Sequence, residues 1–286
     1  MVETDVADCF SAIPHDRLMQ AVEERVCDQS VLKLLRAMLR AGVMESGVVR
    51  HPNTGTPQGG VISPLLCNVY LHRLDRDWDT RAFGVLVRFA DDLLVVCKSA
   101  QQAEAALARL GLLLAELGLA PKQAKTRIVE LRVGGGGFDF LSFHHRMVRS
   151  RGIHRRRGVK FLARWPSDQA MQRARDRIGE LTVRSRMLLP VEAVVEDLNR
   201  FLRGRANYFR YGHSAARFRT IERHVHDRLA VFIGRRHKRG RGFGWSVLAY
   251  KSTDYCGLLS LNGTVIAPRA NKPWREKPNA GGERRR

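Results

Sequence analysis

Two short runs of β-branched and aliphatic residues, Val85 to Phe89 and Leu93 to Lys98, stand three residues apart with Ala90, Asp91 and Asp92 between them. No other feature restricts the fold as much. Two such runs at that distance read as a β-hairpin, and an apolar hairpin is stable in water only when further strands or a helix cover it. The pattern therefore demands a sheet with one packed face, and it holds two carboxylates rigidly at a strand tip. An Asp-Asp pair is also ordinary turn chemistry, so the tip alone does not define a site.

The segments around the hairpin supply the cover. Residues 16 to 41 carry Leu18, Val22, Val26, Val31, Leu34, Leu35, Met38 and Leu39 at helical spacing. Residues 43 to 51 place Ser46-Gly47 between β-branched residues, a second hairpin signal. The stretch 52 to 60, PNTGTPQGG, is too rich in Gly and Pro for a regular element and reads as a shaped loop. Val61 to Trp78 predicts a helix with Ser63-Pro64 in its first turn, residues 101 to 117 another, and Thr126 to Leu131 and Phe138 to Phe143 read as strands either side of a four-glycine turn. The expected class is α+β, an antiparallel sheet with helices on one face, followed by an all-α part. There Asp168 caps a helix through Met171, Ile178 and Leu181, Pro190 opens one through Val194, Leu198 and Leu202, and Phe218, Ile221, Val225 and Phe232 mark a third. From Asn262 onward Pro, Gly, Asn and Arg accumulate, the composition of a solvated tail. The expected divisions are 1–150, 151–262 and 263–286.

Charge separates the same regions. Residues 1–132 carry 16 basic and 16 acidic side chains, leaving 34 basic and 12 acidic for residues 133–286, so the whole net charge of +22 sits in the second half. A balanced half joined to an Arg-rich half implies a catalytic or core module beside a surface for a polyanion. Charge alone equally describes a ribosomal or chromatin-type binder. Cys9, Cys27, Cys67, Cys97 and Cys256 form no C-x-x-C pair, which argues against a zinc site and for reduced thiols. No apolar run approaches the roughly 20 residues of a membrane span, and the start lacks a signal-peptide build; a soluble, cytoplasmic protein is expected.

Asp5, on a first strand, joins Asp91 and Asp92 as a third candidate ligand. Hard oxygen donors in a polar cleft suit Mg²⁺, and carboxylates on neighbouring strands can hold two metal ions for in-line phosphoryl transfer. Five blocks then occur in one order. Thr4-Asp5-Val6-Ala7-Asp8-Cys9-Phe10-Ser11-Ala12-Ile13-Pro14-His15, the Gly55-Thr56-Pro57-Gln58-Gly59-Gly60-Val61-Ile62-Ser63-Pro64-Leu65-Leu66-Cys67-Asn68 run, Phe89-Ala90-Asp91-Asp92, Lys125-Thr126 after Gly118-Leu119, and Gly137-Phe138-Asp139-Phe140-Leu141-Ser142-Phe143 resemble the blocks of reverse transcriptases encoded by bacterial group II introns. Arg203-Gly204-Arg205-Ala206-Asn207-Tyr208-Phe209 is similar to the R-G-x-x-N-Y-F segment of the maturase domain in that family.

The resemblance implies a reverse-transcriptase palm over 1–150 without its fingers, a helical thumb and maturase domain over 151–262, and a basic tail over 263–286. It implies RNA-directed DNA polymerase activity with Asp5, Asp91 and Asp92 catalytic, and two Mg²⁺ ions held by Asp5, Asp91, Asp92 and the Val6 carbonyl. Phe10 would lie under the sugar of the incoming dNTP and exclude a 2′-hydroxyl, although an aromatic there can equally be core. Gln58 and Gly59 would touch nucleotide and template backbone, and Lys125 would sit near the triphosphate, with a plain surface lysine as the alternative. RNA contacts would come from Arg155, Arg156, Arg157, Arg173, Arg177, Arg203, Arg205, Arg210, Arg235, Arg236, Lys238 and Arg239, with Tyr208 stacking on unpaired bases or packing in the core. Expected partners are intron RNA, an RNA template with a DNA primer, and dNTPs, with no membrane and no zinc. The family carries fingers before its first catalytic strand, whereas this chain begins four residues before Asp5, so a missing nucleotide lid and impaired polymerisation are expected. It also often ends in a Cys-rich endonuclease domain, for which no counterpart is seen, so target cutting is not expected. A non-catalytic RNA-binding splicing factor or an inactive remnant is the alternative; three clustered carboxylates, which repel RNA, argue against a pure binder.

Overall fold

The computed structural model describes residues 1–41, 43–45, 48–50, 54–56, 60–150, 158–251 and 257–266. The chain divides into two compact units, Met1–Glu130 and Leu131–Arg286. The first unit runs β1 (Val2–Asp5), α1 (Cys9–Ala12), α2 (His15–Glu23), α3 (Gln29–Arg40), β2 (Val43–Glu45), β3 (Val48–Arg50), α4 (Ser63–Arg76), α5 (Thr80–Phe83), β4 (Val85–Phe89), β5 (Asp92–Val96), α6 (Ala100–Glu116) and β6 (Arg127–Ile128). Its main sheet has the order β4-β5-β1-β6, with every neighbour antiparallel. Alternation decides the faces: Val2, Thr4, Leu93 and Val95 are buried on one side, in one core with Ala103, Ala106, Leu110 and Leu114 of α6. Glu3, Asp5 and Asp92 fall on the other face.

The single helical stretch expected over 16–41 is two helices. Asp28 accepts hydrogen bonds from the Ser30 and Val31 amides and starts α3 afresh, an N-cap concealed by apolar spacing that continues in phase across it. The 43–51 hairpin forms, with Glu45 opposite Val48; its Ser46-Gly47 turn lies outside the described residues. The strand expected over 126–131 is only Arg127–Ile128.

The second unit opens with an antiparallel sheet of β7 (Gly137–Phe140), β8 (Phe143–Arg149) and β9 (Lys160–Pro166). Helices α7 (Asp168–Leu181), α8 (Val191–Phe209), α9 (Ala215–Arg236) and α10 (Arg241–Lys251) follow. The strand expected over 138–143 is instead a hairpin, turning through Leu141 and Ser142 at φ 49° and 65°. Two-residue turns of that hand normally carry Asn-Gly, so no residue type announced it. Ser167 rather than Asp168 caps α7, accepting from the Ala170 amide at 3.2 Å. Met171, Ile178, Val194, Leu198, Ile221, Val225 and Phe232 build the helical core. Leu258 and Leu261 are buried at the end of the helical part; of the tail expected over 263–286 only residues 263–266 are described, and there the Ile266 amide donates to the Arg210 carbonyl at 2.6 Å. None of the described helices is long and apolar enough to cross a membrane.

The β7–β9 sheet carries a stability contribution that depends on pH. His145 lies parallel to Phe138 with centroids 4.7 Å apart, and burial, then Arg164 and His144, push its pKa down from 6.5 to about 4 against a weaker opposite pull from Asp139. An unfolded chain takes up this proton below pH 6.5 and the folded chain only near 4, so stability is lost as pH falls through that window. Lowering pH from 7.5 to 4.5 should cost the wild type about 2 kcal/mol more than His145→Phe, read from urea midpoints; equal losses would refute the assignment.

Candidate active site

The first unit converges on the end of its sheet where β1 stops and β5 begins. Asp5 and Asp92 are directly paired across the strands, and the Val6 amide donates to the Asp91 carbonyl at 3.0 Å. The β4–β5 turn is Ala90-Asp91, since Phe89 pairs with Asp92. Ala90 is held at φ 52°, a left-handed backbone that costs a non-glycine residue about 1 kcal/mol or more. The strain persists because its neighbours hold it. Arg88 donates from Nη1 to the Ala90 carbonyl at 3.2 Å and to Asn68 Oδ1 at 2.8 Å. Its Nε and Nη2 grip Asp75 Oδ1 and Oδ2 at 2.8 and 2.5 Å.

Arg88 and Asp75 are positioning residues that sequence reasoning missed. The available signal was the seven-residue spacing of Asn68 and Asp75, which puts both on one face of a helix. Arg88→Met should destabilise the protein by about 2–3 kcal/mol, because it leaves a partly buried carboxylate and a carbonyl unpaired. In urea titrations the double variant Arg88→Met/Asp75→Leu should recover part of that loss, and no recovery would refute this cause.

Burial, a hydrogen bond with Asp5 and the charges of Asp5 and Asp91 raise the Asp92 pKa to about 6, against the pull of Lys125. Lys125, exposed in the 3₁₀ turn Gln123–Lys125, pairs its ammonium with Asp5 Oδ2, and that bond raises the Lys125 pKa. Among the described residues no three His, Cys, Asp or Glu side chains close into a metal-holding group. The backbone assembles the carboxylates at one place, and the nearest cation, Lys125, takes an oxygen of Asp5. The donor set nevertheless fits a hard divalent ion: it offers carboxylate and carbonyl oxygens, and like charges in close quarters favour a cation.

Phe10 on α1 packs half-buried against the core, and its carbonyl accepts from the Thr56 amide at 2.6 Å. Gly55 donates to Ile13 at 2.7 Å with φ +91°, where a Cβ would stand 2.8 Å from the Ser11 carbonyl. This close approach, open to glycine alone, seats the Gly-rich loop on α1. Gln58 and Gly59 themselves lie outside the described residues, as do Arg155, Arg156 and Arg157. Beneath the site Cys9 and Cys67 are buried thiols with Sγ atoms 3.3 Å apart.

In the second unit the expected RNA contacts differ in availability. Arg203, Arg235 and Lys238 are exposed; Arg173 is exposed and bonds Ser142 at 2.8 Å; Arg177 pairs with Glu180. Arg210 lies over Tyr211 and Arg239 over Phe243, each 5.5 Å from the ring. Arg236 is taken up by the carbonyls of Met187 and Leu189. Arg205 is half-buried over Phe209 at 4.7 Å, and burial, with Arg173, lowers its pKa to about 10. Tyr208 is exposed, its hydroxyl donating to Leu141 at 2.9 Å and its ring 5.5 Å from Phe143.

A sheet end rich in carboxylate oxygens with one lysine at its corner has the chemistry of a phosphate-handling protein. Residues 1–163 match the family model of reverse transcriptase (RNA-dependent DNA polymerase), and the chain belongs to that family. Residues 171–250 match the maturase-specific domain of group II introns. An uncharacterized 91 kDa protein in the cob intron of Schizosaccharomyces pombe is 25% identical over 329 residues, covering 88% of this chain and 41% of that protein. Protein YkfC of Escherichia coli is 31% identical over 185 residues, 53% of this chain and 47% of its own length. Group II intron-encoded protein LtrA of Lactococcus lactis subsp. cremoris is 40% identical over 75 residues, 26% of this chain and 12% of LtrA. The chain spans less than half the length of these relatives.

Proposed function

We propose that this chain is an RNA-directed DNA polymerase of group II intron type that also binds its intron RNA as a maturase. The direct pairing of Asp5 with Asp92, locked by the Val6 amide on the Asp91 carbonyl, is the observation that supports it. In the reaction the primer 3′-hydroxyl gives up its proton to solvent water as its oxygen bonds to the α-phosphorus of a dNTP, the bond from that phosphorus to the α–β bridging oxygen breaks, and pyrophosphate leaves carrying that oxygen. Asp5, Asp91, Asp92 and the Val6 carbonyl would hold Mg²⁺, which when bound neutralises phosphate charge and acidifies the attacking hydroxyl. Lys125 has an exposed ammonium that would leave Asp5 for the triphosphate and stabilise the departing pyrophosphate. Phe10 would back the sugar, and Gln58 and Gly59 would meet the nucleotide and template backbone. Division of labour follows: residues up to about 150 do the chemistry, and 151–262 hold RNA. The test is dNTP incorporation by the purified chain on an RNA template with a DNA primer and Mg²⁺; weak, template-dependent extension is expected, and extension no greater than that of an Asp5→Asn/Asp91→Asn variant under every divalent ion tried would overturn the polymerase reading.

A further inference from the structure

We propose that the cavity between α9, α10 and residues 257–262 takes one unpaired nucleotide of a bound RNA, its base against Trp245 and its phosphate at Arg219 and Arg223. The inference rests on the second unit binding RNA and adds a base-holding site to it. The cavity measures about 810 Å³, within the range of small-ligand sites and ample for a nucleotide. Arg219, Glu222, Arg223 and His226 follow the i, i+3, i+4, i+7 pattern, so all four line it from one face of α9.

The walls are fixed. Gly244 lets α10 lie hard on α9, where a Cβ would run into the Ala230 carbonyl, and this sets the next residue, Trp245. The His226 and Trp245 rings meet at 69° with centroids 6.2 Å apart, forming a corner rather than a parallel stack. One turn before His226 on the same face of α9, Glu222 accepts from Ser260 Oγ at 2.7 Å and the Leu261 amide at 3.1 Å, which ties 257–262 to α9. The carboxylate is thus engaged by neutral donors. Arg219 and Arg223 are exposed and make no ion pair among the described residues, whereas Arg228 bonds Thr182 and Arg241 pairs with Asp227. Two uncommitted guanidinium groups beside an aromatic wall match a phosphate and the base it carries.

A free nucleotide has the same chemistry, and the experiment separates the two sources. The full chain is irradiated with an RNA hairpin carrying 5-iodouridine in its loop, and the crosslinked peptide is mapped. A crosslink at Trp245 is expected, resisting millimolar UMP but removed by unlabelled hairpin. Trp245→Ala should weaken hairpin binding about tenfold with its salt slope unchanged, the effect of one lost base stack, and Trp245→Phe should restore most of it. Arg219→Gln/Arg223→Gln should lower the slope of log affinity against log salt by about 0.7 for each phosphate no longer neutralised. A chain that binds the hairpin with no crosslink at Trp245 and an unaffected Trp245→Ala variant would overturn the site while leaving RNA binding intact. Removal of the crosslink by UMP as readily as by hairpin would overturn the RNA source, and absence of hairpin binding would overturn both readings.

Discussion

Asp91→Asn is expected to lower dNTP incorporation on a primed RNA template by about a thousandfold or more, the scale of losing one positioned charge in phosphoryl transfer. The substitution keeps shape and removes a negative oxygen. The turn that carries Asp91 is held by its backbone, through the Val6 amide and the hydrogen bond from Arg88 to Ala90, so the sheet end should survive. RNA affinity, measured by filter retention on the same preparation, should stay within about twofold, because the substitution leaves untouched the surplus basic charge of residues 133–286 that would hold the RNA. Extension persisting near the wild-type rate would remove Asp91 from its assigned role.

Raising monovalent salt from 50 to 200 mM is expected to weaken binding of structured RNA to the full chain by about a thousandfold, if six or more phosphates are neutralised. The surplus charge lies wholly beyond residue 132. Arg203, Arg235 and Lys238 are exposed without an ion-pair partner among the described residues, so they are the charges to remove first. Arg203→Gln/Arg235→Gln/Lys238→Gln should flatten the log–log slope by about 2–3. Neutralising Arg236 should cost stability instead, because its guanidinium already serves two carbonyls of the fold. An unchanged slope in the triple variant would put the phosphate contacts elsewhere.

The carboxylate tip was legible because its signal is local: two β-type runs and the residues between them. Asp5 was a candidate from its place on an expected first strand, and the family resemblance added to that reading; its pairing opposite Asp92 was not legible, since strand pairing across such a separation leaves no periodic trace. Arg88 was missed for a related reason, since the spacing of Asn68 and Asp75 marks a shared helix face and does not name the residue that meets it. Its partners Asn68, Asp75 and Ala90 come from a helix and a turn that only the folded sheet brings together. The turn at Leu141-Ser142 and the break before α3 were misread because ordinary residues adopt a special backbone in one case, and apolar phase conceals a cap in the other.

The inner position of β1 sets an order of events during synthesis. This strand leaves the ribosome before either of its neighbours, residues 92–96 on one side and 127–128 on the other. Helices α2 to α4 and the β4–β5 hairpin can form from nearby residues, but closing β1 between two partners waits for a loop of more than a hundred residues and is the slow, nonlocal step. A nascent chain halted before Ile128 therefore holds Asp91 and Asp92 on a hairpin whose neighbour is secured on one edge only. Placement of Lys125 beside Asp5 and completion of the first unit's sheet are late events that fall together, and a partly folded chain carries the acidic cluster without its lysine.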